Sequence, residues 1–360
     1  MHYCRKILVT AICLVLVLYP LTVLSAEFVD ALDLPAKMSP LAGHSMLTDV
    51  ARAGTRMVVA GTRGHILLSD DGGQNWRQAS VPVSSDLTAI YFPDSNHGWA
   101  VGHDGVVLRS TDGGSSWVRQ LDGRQLGTLM SNYYSALVAA SPDDELYASL
   151  LDESQRMITE GADKPFLDVW FENEKRGYIV GAFNLIFRTD DGGQHWEPQQ
   201  HLVDNPSAFH LNAITQAGAE LFLAGEQGLL LKYSATTGRF EALPSPYEGT
   251  FFGLLGRPDQ IVAYGLRGHA YRSSDNGQTW KTIDTGTNVS LTAAASDSRG
   301  RLFLFSQAGQ TLMSWDNGVR FVPQKTHSAY PIAGAATNLN GSLILVGARG
   351  THKQFVPFRE

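Results

Sequence analysis

Short apolar runs recur along most of this chain, cut by Gly, Asn and Asp rather than by long polar stretches. One unit shows the pattern plainly. Leu87-Thr88-Ala89-Ile90 is followed by Gly98-Trp99-Ala100-Val101-Gly102, then Gly105-Val106-Val107-Leu108-Arg109, then Ser110-Thr111-Asp112-Gly113-Gly114-Ser115-Ser116-Trp117. These runs, bounded by turn residues, read as four strands joined by tight turns. One unit upstream stand Val58-Val59-Ala60-Gly61, Gly64-His65-Ile66-Leu67-Leu68 and Ser69-Asp70-Asp71-Gly72-Gly73-Gln74-Asn75-Trp76. Later copies run from Tyr178-Ile179-Val180-Gly181 to Trp196, from Leu221-Phe222-Leu223-Ala224-Gly225 to Phe240, and from Ile261-Val262-Ala263-Tyr264-Gly265 to Trp280.

The aromatic that closes each unit falls at 76, 117, 196, 240, 280 and 321, with Phe355 as a seventh candidate. Four strands per repeat of roughly 40 to 45 residues predict a propeller of four-stranded blades. The fold class is therefore all-β, a seven-bladed β-propeller, with one domain over 27–360. The last unit is short, so a strand within 27–45 is expected to complete it and close the ring.

The step from Trp117 to Trp196 leaves room for one blade and an insertion between blades 2 and 3, about 126–164. Here the period changes. Leu129, Tyr133 and Leu137 are spaced as one helical face requires. Ser141-Pro142-Asp143-Asp144 predicts a second helix with Ser141 as its N-cap. Tyr147, Leu151 and Ile158 form that helix's apolar stripe, and Gly161 its stop. Strand parity puts this helical hairpin on the ring face that carries the G-x-x-G turns, opposite the aromatic-tipped hairpins. Loops on a rigid scaffold carry function, so this is the face to search.

Residues 1–26 change the setting. Arg5 and Lys6 precede the uncharged run Ile7 to Leu18, which is broken by Tyr19-Pro20 and leads to Ala26. The run is short of the roughly 20 residues of a spanning helix. A signal peptide cleaved near Ala26 and an exported, periplasmic protein are expected. Leu24 stands where cleavage favours a small residue, so a retained N-terminal anchor is the alternative. Both cysteines, Cys4 and Cys13, lie in this segment. The mature chain then has no disulfide, thiolate metal site or cysteine nucleophile. It keeps 26 basic residues against 35 acidic ones, a net charge of −9, which argues against nucleic acid as a partner.

The S-x-D-x-G-x-x-W hairpin is an Asp-box, sharpest in Ser273-Ser274-Asp275-Asn276-Gly277-Gln278-Thr279-Trp280. Its Asp caps amides of its own turn, and its Trp packs back between blades. Burying one such ring removes roughly 150–250 Å² from water, about 4–6 kcal/mol before entropy. The pairs Asp71 and Trp76, Asp112 and Trp117, Asp191 and Trp196, and Asp275 and Trp280 are read as scaffold. Met38, Met46 and Met57 are read as packing.

Candidate binding residues lie in the G-x-x-G turns: Arg63, His65, His103, Arg267, His269 and Arg349. Arg63, Arg267 and Arg349 share a repeat position, as do His65 and His269. Guanidinium groups in a ring suit a carboxylate, a phosphate or an acidic segment. No histidine pair has local ligand spacing, so no metal is expected. No nucleophile elbow, zincin, P-loop or dinucleotide motif is present, so no catalytic residue is named and no cofactor expected.

The units Gly98-Trp99-Ala100-Val101-Gly102 to Trp117 and Gly177-Tyr178-Ile179-Val180-Gly181 to Trp196 resemble the photosystem II assembly and stability factor family, Ycf48/Hcf136-like. The resemblance covers nearly all of the mature chain and is strongest over 46–120 and 165–200. It implies a seven-bladed, non-catalytic ring that assists assembly of a membrane protein complex; a monomer is expected. It also implies docking through an arginine-rich patch, for which Arg63, Arg267 and Arg349, with Arg109, Arg188 and Arg272, are candidates. Gln227 and Ala308 interrupt the series. The partner expected is an integral membrane protein or complex on the periplasmic side, with a transporter as one setting outside photosynthesis. Two alternatives stay open: a glycan- or small-ligand-binding propeller, and an Asp-box glycosidase of sialidase kind.

Overall fold

The computed structural model describes residues 29–324 and 330–355; the expected signal segment lies outside them. Seven antiparallel sheets follow one another along the chain, each with its strands in sequence order. Blades 1 to 7 occupy 47–78, 87–121, 166–198, 211–242, 251–282, 291–323 and 332–354. Six have four strands and, among the described residues, blade 7 has three.

Second strands are the core of each blade. Gly98–Gly102, Gly177–Gly181 and Leu343–Gly347 are buried at every position. Such a strand is paired on both edges and covered on both faces by neighbouring blades, so it reads as continuously apolar. Fourth strands shrink to two residues in blades 1, 3, 5 and 6, as at Arg77–Gln78.

Inner strands all slip register by one residue near their start, as at Leu47/Asp49, Leu87/Ala89, Leu211/Ala213 and Leu291/Ala293. A bulge re-aims the extra side chain, and here four of the seven tie one blade to the next. The Thr48 hydroxyl donates to the Leu87 carbonyl at 2.7 Å, and Thr88 to that of Phe166 at 2.7 Å. Asn212 donates to the Phe251 carbonyl at 2.9 Å, and Thr292 to that of Ile332.

Closing aromatics sit where two blades meet. Trp117 packs among residues of blades 1 and 2, Trp196 of blades 2 and 3, and Phe240 of blades 3 and 4. Phe321 does the same for blades 5 and 6. Trp117, Trp196, Phe240 and Phe321 are 2–6 % exposed, whereas Trp76 and Trp280 are half-buried. Phe355 is 67 % exposed and anchors nothing, contrary to expectation. Blades 6 and 7 meet through Phe303, Phe305, Ile332 and Leu345 instead.

The ring also closes differently from the expectation. No strand occurs in 29–45, and blade 7 gains no fourth strand from that segment. Leu32 is buried with Val81, Val83 and Trp117 at the junction of blades 1 and 2. Asp33 pairs with Arg124 at 2.7 Å, and Pro35 and Pro40 offer no amide to a ladder. Side-chain burial at the blade 1–2 junction therefore outcompetes strand pairing. Closure rests on Leu47, Val50, Met57, Val59 and Leu67 of blade 1 against Ile344 and Val346 of blade 7. Asn338 adds a 3.0 Å bond to the Gly72 carbonyl.

The helical hairpin is present as α1 (Gly123–Ala140) and α2 (Glu145–Glu160). Helix α1 starts earlier than expected because Asp122 caps it, with Gln125 completing a capping box. Ser141 is the C-cap of α1 rather than the N-cap of α2. That role falls to Asp144, whose carboxylate accepts from the Leu146 and Tyr147 amides. Asp144 also suits the positive end of the helix dipole. The deepest stripe of α1 is Leu126, Met130 and Tyr134, one position off the predicted face, while Leu129, Tyr133 and Leu137 are half-buried. On α2, Met157 is buried and Ile158 is 48 % exposed. Gly161 ends α2 in a positive-φ conformation, as expected.

Candidate functional site

The turns between second and third strands in blades 1 to 5, G-x-x-G except for Gly181-Ala182-Phe183-Asn184 in blade 3, are single 3-10 turns whose second residue is left-handed: Arg63, Asp104, Phe183, Gln227 and Arg267, with φ between 51° and 58°. Non-glycine residues pay about 1 kcal/mol or more to sit there, and the turn holds them through its neighbours. The Arg63 amide donates to Asp86 Oδ1 at 2.7 Å, and the Arg267 amide to Ser290 Oγ at 3.3 Å. Blade 7 departs from this pattern. Ala348-Arg349 is a two-residue hairpin, with the positive φ moved to Gly350.

Parity is confirmed by contact. A Cβ on Gly105, in the blade 2 turn, would lie 2.8 Å from the Gly123 backbone at the start of α1. The hairpin and the turns share one face.

Six candidate binding residues lie on this face, but not as one cluster. They belong to blade 1 (Arg63, His65), blade 2 (His103), blade 5 (Arg267, His269) and blade 7 (Arg349). Arg63, His103, Arg267, His269 and Arg349 are exposed. Among the described residues the side chains of Arg63, Arg267 and Arg349 make no hydrogen bond or ion pair. His65 and His269 are not equivalent in space. His65 is 6 % exposed, with its Nδ1 3.2 Å from Ser45 Oγ, and burial pushes its pKa down. It is a packing residue, not a free ligand. His269 stacks on Tyr247 at 4.5 Å.

Arg109, Arg188 and Arg272 do not extend the patch. They lie on third strands and serve as scaffold. Arg109 covers the Trp99 ring at 5.5 Å, Arg188 pairs with Asp190 at 2.8 Å, and Arg272 donates to the Asn317 carbonyl at 2.8 Å.

On the opposite face the Asp-boxes behave as turn caps. Asp71, Asp112, Asp191 and Asp275 each accept from the Ser or Thr two residues earlier and from the amide four residues later. For Asp275 the Thr279 hydroxyl, then its amide, hold the pKa at about 2. The sequence reading missed a fifth box. Asp316 accepts from Ser314 Oγ at 2.8 Å and the Arg320 amide at 2.9 Å.

The ring axis holds a cavity of about 160 Å³ lined by the seven inner strands. Asp49 and Asp168 face it and were also missed. Each uses one oxygen for its own strand and one for the next inner strand: Asp49 accepts from Val50 and Ile90, Asp168 from Val169 and Ile214. Burial pushes Asp49 up to about 6 and Asp168 up to about 7, the latter aided by Asp49. For Asp49 the signal was the repeated Leu-Thr-x at the head of inner strands, in Leu47-Thr48-Asp49; Asp168 follows Phe166-Leu167, outside that repeat, and is matched to Asp49 only by its place in the strand. Among the described residues no group of three or more His, Cys, Asp or Glu is placed to hold a metal ion.

A profile of the family described as photosynthesis system II assembly factor YCF48 matches residues 30–111, 74–136 and 149–355. The chain belongs to that family. A photosystem II assembly lipoprotein Ycf48 of Synechococcus sp. (strain CC9902) is 29 % identical over 157 residues, 42 % of this chain and 46 % of that protein. The chloroplastic photosystem II stability/assembly factor HCF136 of Arabidopsis thaliana is 22 % identical over 269 residues, 65 % of this chain and 66 % of that one. The matches span about half the length of several of these relatives. Among solved structures, YCF48 bound to a D1 peptide superposes with a TM-score of 0.61 at 17 % identity, covering 88 % of this chain and 95 % of that one. The WD40 propeller of Doa1 reaches 0.62 at 9 % identity, covering 91 % and 97 %, so the likeness of structure speaks for the ring alone. Among the described residues no helix is long and apolar enough to cross a membrane.

Proposed function

We propose that this protein is an exported, non-catalytic, monomeric docking factor for a membrane protein complex. It holds its partner on the turn face beside the helical hairpin. One observation carries the reading. Arg63, Arg267 and Arg349 stand exposed on a common face with no hydrogen-bond or ion-pair partner among the described residues, while the arginines of the third strands are consumed by the scaffold. Guanidinium groups so displayed engage carboxylates of a partner rather than stabilise the ring. Family membership supports an assembly role, and the YCF48 relative bound to a D1 peptide supports a polypeptide as the thing held. The partner here is a membrane protein facing the periplasm, in photosynthesis or outside it.

Pull-down from solubilised membranes with the mature protein tests this. Specific recovery of an integral membrane protein, reduced by the Arg63→Glu/Arg267→Glu double variant, is expected. Recovery that is indifferent to both charge reversals would remove the turn face from the contact. Hydrolysis of a sialoside or glucan at enzymatic rates would overturn the non-catalytic reading.

A further inference from the structure

Between the helical hairpin and blade 3 lies a second cavity, about 430 Å³, bordered by Met130, Leu150, Met157, Phe183 and Leu185, with Arg156 at its rim. We propose that this groove receives an uncharged, apolar stretch of the partner polypeptide, a contact distinct from the turn arginines. The inference rests on the docking reading above and adds a second, chemically different anchor to it.

Three features argue for this occupant. The rim charges are already satisfied within the chain: Arg156 pairs with Glu153, and Lys164 with Glu160 at 2.6 Å and Asp163 at 2.8 Å. A charged ligand group would have to break these pairs, whereas an uncharged one leaves them in place. The apolar walls are methionine, leucine and phenylalanine, interrupted by Ser149, Asn184 and Gln200 and edged by the paired charges; methionine adapts to varied partner shapes, and apolar walls inside a polar rim are the make-up of an interface.

Phe183 is the third feature. It occupies the left-handed position that Arg, Asp, Gln and Arg fill in the other four turns, at φ 54°. The residue is 55 % exposed rather than folded into the core. The left-handed backbone is common to all five turns; what sets this one apart is a large apolar side chain left half in water, a cost in the isolated chain that a partner's apolar surface would remove. Lys164 lies 5.7 Å above the ring and His210 4.7 Å from it, so the ring is held at the groove mouth. A cavity of about 150 Å³ admits one benzene ring. This groove therefore takes two to three apolar side chains of an extended segment.

The test uses a random 12-residue peptide library displayed on phage and selected on the mature protein, followed by fluorescence anisotropy of the selected peptides. Phe183→Asn is the first variant, because Asn tolerates the left-handed region and the site is exposed. Leu150→Gln is the second, on the other wall. The inference expects uncharged peptides with two or three apolar residues, bound at least roughly tenfold more weakly by each variant. Arg63→Glu/Arg267→Glu should bind them as the parent does. Selection of acidic or basic peptides, or equal binding by both variants, overturns the inference. So do tighter binding of n-octyl glucoside than of any peptide, and a dimer of this chain that dissociates in Phe183→Asn. Membrane-complex recovery separates the two claims. Loss with the arginine reversals but not with Phe183→Asn upholds docking and rejects the groove.

Discussion

Replacing Trp117 by alanine tests the architecture most directly. The indole is 5 % exposed at the junction of blades 1 and 2, edge-on to Phe92 at 5.9 Å, and its Nε1 donates to the Gly114 carbonyl at 2.9 Å. Burial of roughly 150–250 Å² at ~25 cal/mol per Å² sets an upper figure of about 4–6 kcal/mol. A compact unfolded chain already hides part of that area, which lowers it. The edge-to-face contact adds ~1 kcal/mol, and the orphaned Gly114 carbonyl about as much again. Partial collapse of the cavity offsets some of this, so the expected loss is ~3–5 kcal/mol, the range of large aromatic truncations. Urea unfolding followed by far-ultraviolet circular dichroism measures it, with Trp76→Ala and Phe355→Ala alongside. Trp76 is half-buried and should lose less. Phe355, 67 % exposed, should stay within about 0.5 kcal/mol of the parent. A loss below about 1 kcal/mol for Trp117→Ala, or equal losses in all three, would refute the claim that burial between blades carries the ring.

Other outcomes follow from the same geometry. Asp49 and Asp168 have folded pKa values of about 6 and about 7, above the ordinary 3.8, so the native state holds protons that the unfolded chain releases. Their contribution is fully present below pH ~4 and is lost as pH rises to ~7; calorimetry across that window should show Tm falling, and Asp168→Asn should flatten its upper part. An unchanged slope would show that Asp168 does not titrate there. Asp275 runs the other way: its pKa, held at about 2 by Thr279, gives stability that is present above pH ~4 and lost as pH falls through ~2. Asp275→Ala should therefore unfold earlier than the parent at neutral pH and converge on it in acid. Gly64 sits at φ +69°, and a Cβ added there would lie only 2.1 Å from the Val83 carbonyl, whereas a Cβ on Gly161 would meet nothing within 4 Å at φ +83°. Gly64→Ala should destabilise by more than about 2 kcal/mol and Gly161→Ala by about 1 kcal/mol, measured by urea midpoint.

Legibility followed the range of the interaction. Asp-boxes were readable because serine, aspartate, glycine and aromatic contact one another within a single turn. The Asp316 box was passed over although the same turn chemistry is written there, in Ser314-Trp315-Asp316-Asn317-Gly318. The hairpin insertion was visible from its change of period, but its caps were not assigned correctly. Ser141 and Asp144 are both good cap residues, and only the path of the chain between the helices decides which amides each one meets. His65 and His269 illustrate the same limit at the candidate site. Both follow Arg-Gly, yet the 42–45 segment covers one and leaves the other to stack on Tyr247.

From the chain alone came the repeat, the number of blades, the face on which the insertion emerges and the scaffold role of the Asp-boxes. All of these depend on periodicity or on contacts a few residues apart, which local order preserves. Only the tertiary structure decided how the ring closes, which arginines are free, that Asp49 and Asp168 meet at the axis, and that Phe183 overhangs a groove against α2. Those depend on which blade lies beside which. Residues far apart in sequence become neighbours only when burial of whole sheet faces outweighs the local alternatives, as the path of 29–45, outside any sheet, shows.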